Sequence, residues 1–229
     1  MFLVYLSIQC NIVYYCQIIN VMTGYQDYLI VLTPSDSVCK RIKRIKEDSA
    51  AIVGDYEGKY SKAHITIQQW PRKKPVWIDA LMPKLERELL TLPPLPIGVN
   101  GFDFFHHEEN PTIYARLEQS PGTAIWFKHL KRFFSGGNFV PHITIARSLP
   151  APAFKKLWPY VSKQEWNEEF KVDKLTILRR DMIGHDRSYK VYKELPFNRR
   201  LDFNTFVNSK QKAPARAEKV VVSSQFSLF

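Results

Sequence analysis

The tetrapeptide His-Ile-Thr-Ile occurs twice in this chain, as AHITIQQW over residues 63–70 and as VPHITIARS over residues 140–148. Isoleucines suit a buried strand, but burial requires neither a histidine nor a threonine at matching places. An imidazole titrates near neutrality. Two of them, one neutral and one protonated, can therefore accept a proton at one atom of a substrate and deliver a proton to another. A threonine hydroxyl can donate to an oxygen of the reacting group and hold it in place between them. His64, Thr66, His142 and Thr144 are the residues whose types and spacing could do chemistry.

In a strand, successive side chains point to opposite faces, so residues i and i+2 share a face about 7 Å apart. His64 and Thr66 then point one way while Ile65 and Ile67 enter the core. His142 and Thr144 behave alike, with Ile143 and Ile145 behind them. Continuing the same parity, Gln68 and Trp70 are expected on the cleft side. Trp70 is thereby a candidate for stacking on a base, since an aromatic platform accepts any base.

The surrounding segments must position these strands. DYLIVLTP is a strand closed by proline, and SDSVCKRIKRIKED is a basic helix opened by a Ser/Asp cap. KAHITIQQW is a strand. PVWIDALMPKLERELLTL has helical spacing with Pro75 at its entry. PIGVNGFDFF and TIYARLEQ read as two strands. The order then repeats: a helix over PGTAIWFKHLKRFFSGG, the second His-Ile-Thr-Ile strand, a helix over APAFKKLWPYVSKQEW, a strand over EEFKVDKLTILRRD and a closing strand over RSYKVYKELPF. This predicts an α+β fold of two pseudo-symmetric lobes of antiparallel sheet, helices packed outside, with a central cleft carrying both His-x-Thr pairs.

The paired motifs and the duplicated order of elements resemble the 2H phosphoesterase superfamily, which includes RNA 2′,5′-ligase-like proteins and cyclic nucleotide phosphodiesterases. The resemblance covers residues 25–196. It implies a metal-independent enzyme acting on 2′,3′-cyclic phosphates or on 2′,5′-linked nucleotides and RNA ends. His64 and His142 would be the catalytic acid and base in either order, and Thr66 and Thr144 would bind the phosphate. The continuation HITIAR implies that Arg147 also binds phosphate, although strict alternation puts Arg147 on the face opposite His142. The first motif continues as QQW rather than Phe-Leu-Gly, a departure that bears on substrate class. No cofactor is implied.

The formal charge is +11, which favours a polyanionic partner such as RNA or an oligonucleotide. Three cysteines (Cys10, Cys16, Cys39) make neither a disulfide framework nor a metal-ligand spacing, so a reducing cytoplasm is expected. His106 and His107 adjoin Glu108 and Glu109 in a polar loop, where adjacent residues chelate poorly, and no metal site is expected. His129 is expected at the surface and His185 in a turn overhanging the cleft.

Three regions follow. Residues 1–21 are uncharged and apolar but interrupted by Ser7, Gln9, Asn11, Gln17 and Asn20. They read as an extension ahead of a start at Met22, with a membrane anchor the weaker alternative. Residues 22–200 form the bilobal domain. Residues 201–229 read as a flexible basic tail. The tail ends in Gln225, Phe226, Ser227, Leu228 and Phe229, which resemble the clamp-binding pentapeptide of bacterial replication and repair proteins and make a DNA sliding clamp a candidate partner. The alternative to an enzyme is a nucleic-acid-binding module, or a clamp-recruited accessory factor of DNA repair or replication.

Overall fold

The computed structural model describes residues 24–106, 110–134, 140–183 and 185–211. Its strands are β1 (Gln26–Leu32), β2 (Ile65–Lys73), β3 (Leu95–Phe105), β4 (Thr112–Leu117), β5 (His142–Ala146), β6 (Asn167–Val172), β7 (Lys174–Asp181) and β8 (Lys190–Pro196). Its helices are α1 (Asp36–Val53), α2 (Pro75–Leu89), α3 (Pro121–Lys131), α4 (Ala151–Ser162) and α5 (Phe203–Gln211). All eight strands join one antiparallel sheet in the order β6-β3-β4-β5-β2-β1-β7-β8. Each His-Ile-Thr-Ile strand ends one four-stranded half, and the two halves meet where β2 pairs with β5.

The expected two lobes and outer helices are present, but the chain does not complete one lobe before starting the other. β1 and β2 share their half with β7 and β8, while β3 to β6 build the second. The segment read as the single strand EEFKVDKLTILRRD is two strands, β6 and β7, separated by Asp173 alone. They occupy the first and seventh places of the sheet, so the sheet curls until these two strands lie one residue apart. The Asp173 carbonyl accepts from Phe197 N–H, and the Leu92 carbonyl accepts from Asn198 N–H, which fastens the end of β8 to this seam.

The helices form as their caps and stripes dictate. The Ser35 hydroxyl accepts from Val38 N–H at the start of α1, and the helix ends at Gly54, whose φ of 81° suits glycine. Val38, Ile42 and Ile45 form its buried stripe. Pro75 opens α2, and Ser120 caps α3 ahead of Pro121. Ile65, Ile67, Ile143 and Ile145 are buried in one core with the apolar faces of these helices. That leaves the other face of β2 and β5 for the histidines and threonines.

Part of the tail is ordered, contrary to its reading as linker. Asp202 Oδ2 accepts from Thr205 N–H at 2.8 Å and starts α5. Phe206 and Val207 are buried, and Phe203 and Val207 approach Gly122 of α3. The pentapeptide 225–229 and residues 1–21 lie outside the described residues. Among the described residues no helix is long and apolar enough to cross a membrane.

Candidate active site

The site is set by one pair in the register. Ile65 of β2 stands opposite Ile143 of β5 in antiparallel sense. It follows that His64 faces Thr144 and Thr66 faces His142. The four side chains form a quadrilateral with imidazoles on one diagonal and hydroxyls on the other. Neighbours along a diagonal of this kind lie roughly 7–8 Å apart at the backbone. That leaves room for a tetrahedral group between two ring nitrogens.

Both imidazoles are held in the same way. His64 Nδ1 lies 2.8 Å from the Lys62 carbonyl oxygen, and His142 Nδ1 lies 2.7 Å from the Val140 carbonyl oxygen. A carbonyl only accepts, so each Nδ1 carries the proton and each Nε2 is left for the cleft. Both pKa values are pushed below the ordinary histidine range, chiefly by burial. The Arg147 guanidinium adds to this at both rings, and the Lys46 ammonium adds at His64.

Beyond the isoleucines both strands bulge at the same place. On β2, Thr66 pairs with Val31 and Gln68 with Ile30, so Ile67 is an extra residue. On β5, Thr144 pairs with Tyr114 and Ala146 with Ile113, so Ile145 is the extra residue. One inserted residue reverses the alternation. Arg147 thereby returns to the face of His142 and Thr144. By the same device Gln69 returns to the face of His64 and Thr66. Gln69 and Arg147, each five residues after its histidine, are the matched pair that alternation alone missed.

Trp70 is the corresponding correction. The bulge turns it away from the cleft, opposite Tyr28, and its ring packs on Phe134 at 5.8 Å. It lines neither histidine's cavity.

Two cavities meet over the motifs. The one at His142, of about 610 Å³, and the one at His64, of about 400 Å³, share Thr66, Gln69, Thr144 and Arg147 as lining residues. The model of the 2′-5′ RNA ligase superfamily matches residues 34–183, a span that contains both motifs and both bulges.

The chain belongs to the 2′-5′ RNA ligase superfamily.

Among similar proteins, one of Geobacillus thermodenitrificans named "Putative phosphoesterase" is 29% identical over 161 residues, covering 66% of this chain and 86% of that protein. A similarly named protein of Geobacillus kaustophilus is 28% identical over 142 residues, covering 59% and 82%. The fold is similar to that of TT0787 of Thermus thermophilus, with a TM-score of 0.55 at 16% identity, covering 75% of this chain and 98% of that one. It is also similar to that of E. coli LigT in complex with 3′-AMP, with a TM-score of 0.54 at 13% identity, covering 76% and 98%. At these identities the solved structures speak for the fold.

Within this superfamily member the two cavities have different walls. On the His142 side, Phe105 stacks on Tyr114 at 4.2 Å, and both rings contact His142, at 4.9 and 5.3 Å. Lys131 completes that side. On the His64 side stand Arg180 and Tyr189 from the far end of the chain, together with Glu57. Glu57 lies 3.7 Å from Arg147, and its carbonyl accepts from Arg147 N–H.

The loop beneath His64 is tied by Lys46. This buried ammonium donates to the carbonyls of Gly58 and Ser61 and to the Ser61 hydroxyl at 2.8–2.9 Å. Burial lowers its pKa to about 8.

The remaining histidines lie elsewhere. His106 packs on Phe104, His129 packs between Phe133 and Phe206, and His185 is exposed. His107, Glu108 and Glu109 fall outside the described residues. Among the described residues no three His, Cys, Asp or Glu side chains group as metal ligands would.

Proposed function

We propose that this protein is a metal-independent phosphodiesterase or 2′,5′ RNA ligase-like enzyme, acting on 2′,3′-cyclic phosphates or 2′,5′-linked nucleotide and RNA ends. The observation that carries this is the paired geometry of the imidazoles. Each is oriented by the carbonyl two residues before it, presents Nε2 to a shared cleft and faces the threonine of the other motif. In hydrolysis the neutral imidazole takes a proton from water as its oxygen attacks phosphorus. The protonated imidazole gives its proton to the departing ribose oxygen, and the P–O bond to that oxygen breaks. Thr66, Thr144 and Arg147 donate to the non-bridging oxygens, whose charge grows as the fifth bond forms. In the ligation direction the two imidazoles exchange roles.

A nucleotide substrate agrees with the aromatic wall at His142 and with the excess of basic residues. LigT, with the same fold, has been crystallised with 3′-AMP, ATP and NADP+. The test is turnover of 2′,3′-cyclic nucleotides and 2′,5′-linked oligonucleotides in the presence of EDTA, for the wild type and for His64→Ala and His142→Ala. The expected result is chelator-resistant turnover that falls at least about a hundredfold in either variant. Binding of the same ligands with no turnover on any of them would instead favour the non-catalytic nucleic-acid-binding module.

A further inference from the structure

One phosphate between the motifs uses Arg147 but leaves a second guanidinium in the His64 cavity without a task. Arg180 of β7 stands directly opposite Asp27 of β1, on the cleft face that Leu29 shares. Its Nε and Nη2 both donate to a single oxygen, Asp27 Oδ2, at 3.0 and 2.9 Å. The other carboxylate oxygen, Oδ1, accepts from Arg72 N–H at 2.9 Å. From the other side the guanidinium lies 4.8 Å over the Tyr189 ring. Arg180 is therefore fixed in plane and position, and its Nη1 takes no hydrogen bond among the described residues. Arg180 and Tyr189 both line the cavity with His64, Thr66 and Arg147. A cation fixed beforehand, with an unused planar donor edge beside a reaction centre, suits an anion attached to the reacting group.

We infer that Arg180, steadied by Asp27 and Tyr189, forms a subsite for a second phosphate of the substrate, on the His64 side of the cleft. The inference rests on the two-histidine reading and narrows its substrate class. The preferred ligand carries a phosphate on the 5′ side of the terminal nucleotide, either a free 5′-phosphate or the next link of an oligonucleotide. A nucleoside bearing only the reacting phosphate leaves the subsite empty. An alternative role, a cross-strand ion pair that merely joins β1 to β7, predicts no discrimination between ligands.

The test is calorimetric binding to the full chain of adenosine 2′-monophosphate, adenosine 2′,5′-bisphosphate and a diadenosine monophosphate bearing a terminal 2′-phosphate. Affinities are compared as ratios within each variant, so that general damage to the fold cancels. In the wild type the bisphosphate should bind roughly tenfold tighter than the monophosphate, as one charge-assisted contact allows. Arg180→Gln should bring the ratio close to one. Asp27→Asn removes the competing carboxylate charge and should keep the ratio above one, whereas an ion pair that merely joins β1 to β7 leaves it near one in every variant. A dinucleotide that shares the preference identifies the chain link as occupant, whereas a preference confined to the bisphosphate identifies a terminal phosphate. A ratio near one in the wild type, or one unmoved by Arg180→Gln, overturns the subsite alone. Failure of all three ligands to bind overturns the two-histidine reading with it.

Discussion

The crossed arrangement of the motifs makes a demanding prediction about the threonines. Neither the Thr66 nor the Thr144 hydroxyl has a hydrogen-bond partner among the described residues, and both side chains are half-buried on the cleft face. Valine has the same shape and the same preference for strand, so Thr66→Val and Thr144→Val delete a hydroxyl and little else. With no native partner lost, stability should change by no more than about 0.5 kcal/mol in either variant. A hydrogen bond to a charged oxygen contributes about 1.5–3 kcal/mol. Each variant should therefore lose roughly tenfold to 150-fold in kcat/KM. With each hydroxyl assigned to its own non-bridging oxygen under the proposed function, the double variant should lose about the product of the single losses. The assay is steady-state hydrolysis of a 2′,3′-cyclic nucleotide beside a thermal melt of each variant. Single variants that melt like the wild type and retain more than half of its kcat/KM would refute the assignment of the hydroxyls to phosphate.

Other expectations follow from the same geometry. Both histidines have lowered pKa values in the folded protein, so the form with one neutral and one protonated ring is most populated below about pH 6.5. The kcat/KM profile should therefore peak on the acid side of neutrality and fall as pH rises. The kcat profile should sit at higher pH, because a bound phosphate favours the imidazolium. The same lowered values contribute stability that is fully present above about pH 6.5 and is lost as pH falls through the folded-state values, and acid melts of His64→Ala and His142→Ala should lose less. The buried Thr176 hydroxyl has no partner among the described residues, so Thr176→Val should raise stability by about 1 kcal/mol and leave turnover unchanged. A lower melting temperature would count against that. Deleting residues 212–229 should abolish capture by a bacterial sliding clamp and spare turnover, and retained capture would sink the tail's proposed role.

The cleft face of the two motifs was legible because its signal is local. Alternation along His-Ile-Thr-Ile places histidine and threonine together regardless of what lies elsewhere, and the structure buries the isoleucines as that parity requires. What lay beyond Ile67 and Ile145 was not legible from alternation, which left Arg147 to the family resemblance alone, because a bulge is a property of the pairing and not of the strand. It moved Trp70 out of the cleft and brought Gln69 and Arg147 into it. The matched spacing of Gln69 and Arg147 after their histidines was the available clue. The interleaving of lobes was hidden for a similar reason. No glycine or proline separates β6 from β7, and the only mark is a change from alternating burial at Phe170 and Val172 to a continuous run at Leu175, Thr176 and Ile177. Arg180 and Tyr189 reach the site only through that crossing. By contrast, the helix at residues 203–211 carried a readable cap at Asp202 and apolar residues at Phe203, Phe206 and Val207, masked by the polar composition around them.

The proposed chemistry requires one imidazole to act as base while the other protonates the leaving oxygen. The most direct measurement compares His64→Ala and His142→Ala on a natural-type diester and on a p-nitrophenyl ester of the same nucleotide, whose leaving group departs without a proton. Both variants should be crippled on the natural-type diester, and one of them, lacking the acid, should recover most of its activity on the p-nitrophenyl ester while the other does not. Wild-type turnover by either variant on the natural-type diester, or equal recovery of both on the p-nitrophenyl ester, would contradict the two-histidine account.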